Sequence, residues 1–216
     1  MAALYDTPAI KPFLIGEADE MHSRDNIVVT QSGTAVESGT VLTQIKTATT
    51  GTFAMKAGAT GNPTSGTITV TPATAQAGVY YIRFRAATKF DVEAPNGVQI
   101  GNGTVGTAFN KSGLAFTLTA GGTAAVDGDE ATITVAAGSG KYVPYTANAA
   151  AGTADALLYR RLPAATGDFN SVGITSHAEV NRKELTGLDA TAEAQLRTKG
   201  IKVRGVVTPT VSTPAL

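Results

Sequence analysis

The pattern of apolar and polar positions changes along the chain, and its most regular stretch runs from Gly51 to about Ala136. Short alternating segments recur there: TITVT (67–71), VYYIRFRA (79–86), KFDVEA (89–94), VQIG (98–101), LAFTLT (114–119) and EATITV (130–135). Large apolar residues fall on one parity within each. Ile68 goes with Val70, Tyr80 with Ile82 and Phe84, Leu114 with Phe116 and Leu118, and Ile133 with Val135. A period of two describes strands with one buried face. Gly, Asn-Pro, Pro-Asn-Gly and Asp-Gly separate the segments. Many short strands with turn residues between them predict a small sandwich or barrel.

On either side the texture differs. IVVTQ (27–31) and TVLTQI (40–45) read as strands around the turn region SGTAVESG, which Gly33 and Gly39 punctuate. After GSGK (138–141) come KYVPY (141–145), an Ala/Gly-rich loop, DALLYRRLP (155–163) and VGITSHAEVN (172–181), the last read as strand. DATAEAQLRTKG predicts a helix, with Asp189 as N-cap, Ala192 and Leu196 on the core face, Lys199 favouring the C-terminal dipole and Gly200 ending it. IKVRGVV (201–207) reads as a closing strand. The expected organisation is a base domain split between 27–50 and 137–207, an inserted β-sandwich-like domain at 51–136, and a loose tail at 208–216.

Residues 1–26 show no helical period. Pro8 and Pro12 bias the residues before them away from helix, while Ile10, Phe13, Leu14 and Ile15 form an apolar cluster. A frayed terminus is one reading, and an arm that needs a partner to order it is the other. Purely solvated tails seldom carry so many large apolar residues, which favours the arm.

Composition narrows the function classes. The 216 residues suffice to bury a core, and charged residues are only 16% against 43% hydrophobic, so the chain folds rather than staying disordered. Lys plus Arg (17) balances Asp plus Glu (17), which leaves no basic footprint for nucleic acid. With no cysteine, disulfides and thiolate metal sites are excluded. No apolar run approaches a membrane span, and the N-terminus lacks the basic start and apolar stretch of a signal peptide.

Enzymatic chemistry finds little support. Of the two histidines, His22 lies in EADEMHSRD, where a metal site with Glu17, Asp19 or Asp25 is conceivable, but a solvated loop fits better. His177 has Ser176 and Glu179 nearby, but no GxSxG elbow occurs anywhere, so a structural role is the default. GNGTVG (101–106) matches a dinucleotide fingerprint by letters only, because no helical period follows it, and it reads as a turn between strands. VDGDEAT (126–132) begins like a calcium loop but lacks the later ligands, and an acidic hairpin turn suits it better. No cofactor or metal is expected.

Three blocks carry a resemblance: SRDNIVVTQSG with SGTVL (23–42), KYVPY (141–145), and HAEVNRKEL followed by a helix and GIKVR (177–204). In pattern and order they resemble the tailed-phage head decoration proteins related to the lambda decoration protein D, over roughly 13–50 and 137–205. The resemblance implies a mainly β base of the β-clip type with little helix. It further implies a homotrimer on the outer surface of the expanded capsid, at threefold positions, locking major capsid protein subunits against the pressure of packaged DNA. Synthesis would take place in the host cytoplasm. Carried over, Ile10, Pro12, Phe13, Leu14 and Ile15 become the capsid-binding arm within 1–26. Such an arm suits strand addition. The 51–136 block departs from the shortest members of the family and leaves open a weak contact with host surfaces or glycans.

Competing readings make different demands. A glycan-binding module needs exposed aromatics, but Trp is absent and Tyr80, Tyr81 and Phe84 read more simply as core and edge residues. A virion-associated hydrolase needs paired carboxylates or a triad. A tail-tube subunit would polymerise, whereas a decoration protein closes on itself.

Overall fold

The computed structural model describes residues 13–146 and 152–205. From Phe13 the chain forms β1 (Leu14–Glu17), the single helical turn α1 (Glu20–Ser23), the long strand β2 (Arg24–Ser32) and β3 (Val41–Gln44). Then follow β4 (Thr47–Met55), β5 (Thr64–Ser65), β6 (Thr69–Val70), β7 (Gly78–Ala86), β8 (Lys89–Glu93), β9 (Gln99–Thr104), β10 (Ala108–Lys111), β11 (Leu114–Thr119) and β12 (Glu130–Ala137). The chain finishes with β13 (Tyr142–Pro144), β14 (Ala156–Leu158), β15 (Thr166–Ile174), β16 (Ala178–Asn181), a 3-10 turn (Arg182–Glu184), α2 (Ala190–Thr198) and β17 (Lys202–Arg204). The fold is mainly β, as the alternating pattern predicts.

Two compact units emerge. One comprises Met1–Gln44, Tyr142–Ala147 and Thr153–Leu216, and the other Ile45–Lys141 with Asn148–Gly152. They are called the base and the inserted unit below. The cut points expected from sequence, Gly51 and Ala136, fall inside β4 and β12. β4 starts before the alternation becomes visible and β12 runs on after it fades, because Thr47–Thr50 and Ala136–Ala137 are small or polar.

In the base, β13, β2, β15, β14 and β3 close into a barrel. The long pair β2–β15 runs from Thr166 opposite Ser32 to Ile174 opposite Arg24. Alternate residues of β2 (Ile27, Val29) point inward to meet Leu42, Ala156 and Leu158. β14 is buried throughout, so it serves two cores. Ala156 and Leu158 face the barrel, while Leu157 joins Phe13, Val41, Ile174, Val180, Leu196 and Ile201 in a second cluster. That second cluster is closed by α2 and by the small sheet β1-β16-β17.

α2 begins and ends as the sequence predicts. Asp189 accepts a hydrogen bond from the Ala192 amide at 2.6 Å, and Ala192 and Leu196 are buried. At the other end Ile201 N–H donates to Leu196 O and Gly200 N–H to Arg197 O, with Gly200 at φ 77°. This paired closure needs a left-handed residue, which glycine supplies without strain. The expected strand over 172–181 is instead two strands, β15 and β16, broken by a turn at Thr175–His177. His177 takes φ 43° there, so the alternation on either side hides the break.

The inserted unit is an antiparallel sheet in the order β10-β11-β6-β4-β12-β7-β8-β9, with β5 also on β11. β4 pairs along most of its length with β12 but meets β6 only at Thr50 and Thr69. The two halves of the sheet face one another across a single core. Phe90, packed on Phe84 in one half, meets Phe109 and Phe116 from the other, with the Phe90 and Phe116 ring centroids 6.0 Å apart. Such tilted aromatic contacts add to the area they bury.

Candidate functional site

The segment singled out as an arm divides in two. Ile10 and Pro12 lie outside the described residues. Phe13 is fully buried in the base's second cluster, and its carbonyl accepts from Asn181 N–H at 2.7 Å. β1 follows as an edge strand on β16, with Leu14 opposite Val180, Gly16 opposite Glu179 and a bulge between them at Ile15. Leu14 packs partly against the core, whereas Ile15 is 58% exposed. The expectation that residues 13–15 wait for a partner to order them is therefore corrected. Period-two reading cannot see that β16, more than 160 residues downstream, offers β1 a partner strand.

Arg24 holds this segment to the barrel. Its Nε donates to Glu17 at 3.0 Å, one terminal nitrogen, Nη2, reaches both Glu17 and Glu20, and its guanidinium lies 4.3 Å from the Tyr159 ring centroid. The hydrogen bond to Glu17 holds the Arg24 pKa above its ordinary value. Glu17 is thus committed to Arg24, and Asp25 accepts from the Thr175 hydroxyl, while Asp19 caps α1 through the Met21 amide at 2.7 Å. The carboxylates around His22 are engaged in structure. Among the described residues, no group of three His, Asp or Glu side chains is placed to hold a metal ion.

His177 sits at the junction of several elements. Its carbonyl accepts from Ala18 N–H and the Ser23 hydroxyl, both at 3.0 Å, and its amide donates to Lys199 O. Ser176 donates to His22 O rather than to an imidazole. Gly16, Ala18, His177, Ala178, Gly200 and Lys202 surround an open cleft of about 440 Å³ on this side of the base. Sequence reasoning missed the cleft, and the signal that could have pointed to it is Gly16, an isolated glycine in a short apolar run.

In the inserted unit the two glycine-rich motifs have packing explanations. Gln99–Thr104 is strand β9, so only the end of GNGTVG is a turn, contrary to the reading of the whole motif as one. A Cβ on Gly103 would stand 2.3 Å from the Phe90 ring, so the glycine makes room for an aromatic, not a phosphate. Asp127–Gly128 does turn, but the strands on either side, β11 and β12, are not paired with each other, so it is not a hairpin. Asp129 is 7% exposed and accepts amide hydrogen bonds from Val126, Thr60 and Gly61, which hold its carboxyl below the usual range. It ties a loop and leaves no open calcium ligand. Tyr80 and Phe84 are buried, and Tyr81 alone of the three is exposed, at 51%.

These features describe a class: a β protein of two units whose polar side chains are spent on holding loops and edges in place. The sequence matches the family described as bacteriophage lambda head decoration protein D over residues 3–203. The chain belongs to that family. No curated protein matches the sequence. Among solved structures, the chain aligns with FlgL of Xanthomonas campestris at 21% identity and TM-score 0.33, over 45% of this chain and 33% of that one. FlgL of Legionella pneumophila aligns at 14% identity and TM-score 0.32, over 46% and 37%. The hook junction protein FlgK of Burkholderia pseudomallei aligns at 19% and 0.31, over 61% and 23%. The chain spans little more than a third of the length of these structures at most.

Proposed function

We propose that this protein is a capsid cement. It assembles as a homotrimer on the outer surface of the expanded head, at threefold positions, and joins neighbouring major capsid protein subunits against the pressure of packaged DNA. The observation that carries the reading is the family match across residues 3–203, which spans both parts of the base and the insertion between them. The base supports it with an edge strand, β1, that is joined directly to the first twelve residues of the chain. Those residues include Ile10 and Pro12, and with the exposed Ile15 they supply the contact by strand addition. Three such contacts on one trimer act at high effective concentration, so individually weak attachments become durable. In this reading the protein has no enzymatic activity and the inserted unit enlarges the cap of the trimer.

The test is to mix purified protein with expanded, undecorated capsids and image the product. Density added in groups of three at threefold positions, with capsids then surviving heating or chelation that bursts undecorated ones, is the expected result. Binding at other symmetry positions, or polymerisation into tubes in free solution, would refute it.

A further inference from the structure

The inserted unit holds a gap in its own sheet. β4 keeps β12 on one side along Gly51–Met55, but on the other side it meets β6 only at Thr50 opposite Thr69. Lys56 N–H donates to Glu130 O at 2.9 Å, and antiparallel bonding to one neighbour recurs at every second residue. Ala54 and Thr52 therefore share their bonds with Thr132 and Thr134, and the N–H and C=O of Phe53 and Met55 point away from β12. On that far side Gly51 N–H donates to Ile68 O at 3.3 Å. The chain before Ile68 turns instead to β11, with Ser65 opposite Leu118 and Gly66 N–H donating to Thr117 O. Among the described residues, no backbone group takes up those of Phe53 and Met55.

The two diverging stretches enclose a groove of about 740 Å³, walled by residues 50–55 and 62–68, none of them charged. Phe53 and Met55 pack against the core of the unit yet stay half-buried, and both line the groove. We propose that this groove is a strand-addition site, which takes up one extended, uncharged peptide segment of a partner protein. The segment pairs with Phe53 and Met55 and fills the gap in the sheet. The open backbone groups select the extended conformation. Register then selects the side chains. Residues opposite Phe53 and Met55 share their face and are apolar, while those between lie outward beside the exposed Thr52 and Ala54 and are polar. A charged side chain on the inner face would lose water and find no counter-charge in either wall. A second copy fits worse, because its own β4 edge is recessed behind 62–68 in the same way. Proteins blunt free edges with proline, bulges or inward charges, and Thr52–Met55 carries none of these. The site concerns the inserted unit alone and does not depend on the capsid reading.

The probe is the peptide acetyl-Thr-Val-Thr-Val-Thr-Val-amide, added to the full-length protein and followed by residue-resolved amide hydrogen exchange. The control peptide has glutamate in place of each valine. In the free protein the Thr52 and Ala54 amides, bonded to β12, should be protected while those of Phe53 and Met55 exchange freely. Saturating probe should slow exchange at Phe53 and Met55 by about tenfold or more and leave Thr52 and Ala54 as they were. The glutamate peptide should change nothing. Met55→Pro removes one groove-facing N–H and spares the β12 ladder, a substitution that an edge strand tolerates. This variant should fold and lose the probe's effect. Unchanged exchange at Phe53 and Met55 in the presence of the probe would overturn the site. Equal protection by the two peptides, or undiminished protection of Phe53 in Met55→Pro, would overturn it as well. So would Phe53 and Met55 amides already protected in the free protein, because this chain or a second copy would then fill the groove. If Met55→Pro does not fold, the wild-type exchange pattern decides alone.

Discussion

The Arg24 guanidinium lies 4.3 Å from the centroid of the Tyr159 ring while its Nε donates to Glu17 at 3.0 Å. One side chain thereby joins the end of β1, the start of β2 and the residue just past β14. Lysine would keep the charge but lose the planar fork and the stack. Arg24→Lys should destabilise the base by about 1–2 kcal/mol, read as a lower denaturant midpoint with unchanged slope. An unchanged midpoint would mean that β1 is held by strand pairing alone.

Phe13 separates the arm from the core. Because it is fully buried, Phe13→Ala should cost roughly 3–5 kcal/mol. Deleting residues 2–12 should leave the melting temperature of the base near wild type while lowering capsid retention. Deleting 2–15 should lower both, because it removes a core side chain along with the arm. Equal melting temperatures for the two deletions would show that Phe13 contributes nothing to the free protein.

The inserted unit should come away cleanly at its structural boundary. Gln44 and Tyr142 are antiparallel partners in the barrel, and Ile45 N–H donates to Lys141 O at 2.8 Å just beyond them. Replacing Ile45–Lys141 with Asn-Gly turns the junction into a two-residue hairpin. The product should fold, with dispersed amide resonances, and should still decorate capsids. Excision at Gly51 and Ala136 leaves the stumps of two strands and should aggregate more. A molten product from the first excision would show that the base depends on the insertion.

Acid should weaken the inserted unit through Asp129 and Glu130. Amide hydrogen bonds from Val126, Thr60 and Gly61 lower the Asp129 pKa, and the Lys56 and Arg83 side chains lower that of Glu130. Carboxylates with depressed folded pKa values stabilise fully above their ordinary range, near pH 4, and lose that contribution as pH falls through it toward the folded values. Unfolding followed from pH 7 to pH 2 should therefore show stability falling below about pH 4. Asp129→Asn should be less stable than wild type at pH 7, with the gap closing in acid. A constant gap across that range would contradict the role given to the Asp129 charge.

Much of the fold was legible wherever a local rule applied. The strands carrying Tyr80, Ile82 and Phe84, or Leu114, Phe116 and Leu118, show their buried face by parity, and α2 shows its cap in Asp189 and its stop in Gly200. The candidate site was legible only in part. Phe13 is core while Ile15 in the same apolar run is exposed, and Met21 is exposed in the stretch read as a solvated loop. Apolar character alone does not say whether a residue faces its own chain or another.

The sequence by itself determined the class of fold, the two ends of α2 and, through the order of its blocks, the family. These depend on side-chain periodicity, turn residues and capping groups, which act over a few positions. Only the tertiary structure decided that β1 docks on β16, that Arg24 spans Glu17 and Tyr159, that His177 interrupts two strands, and that Gly16 and Gly200 leave a cleft between them. Each of those relations joins positions far apart in the chain. Their partners are chosen by which edges and faces remain unfilled once the barrel has closed, and no local pattern encodes that remainder.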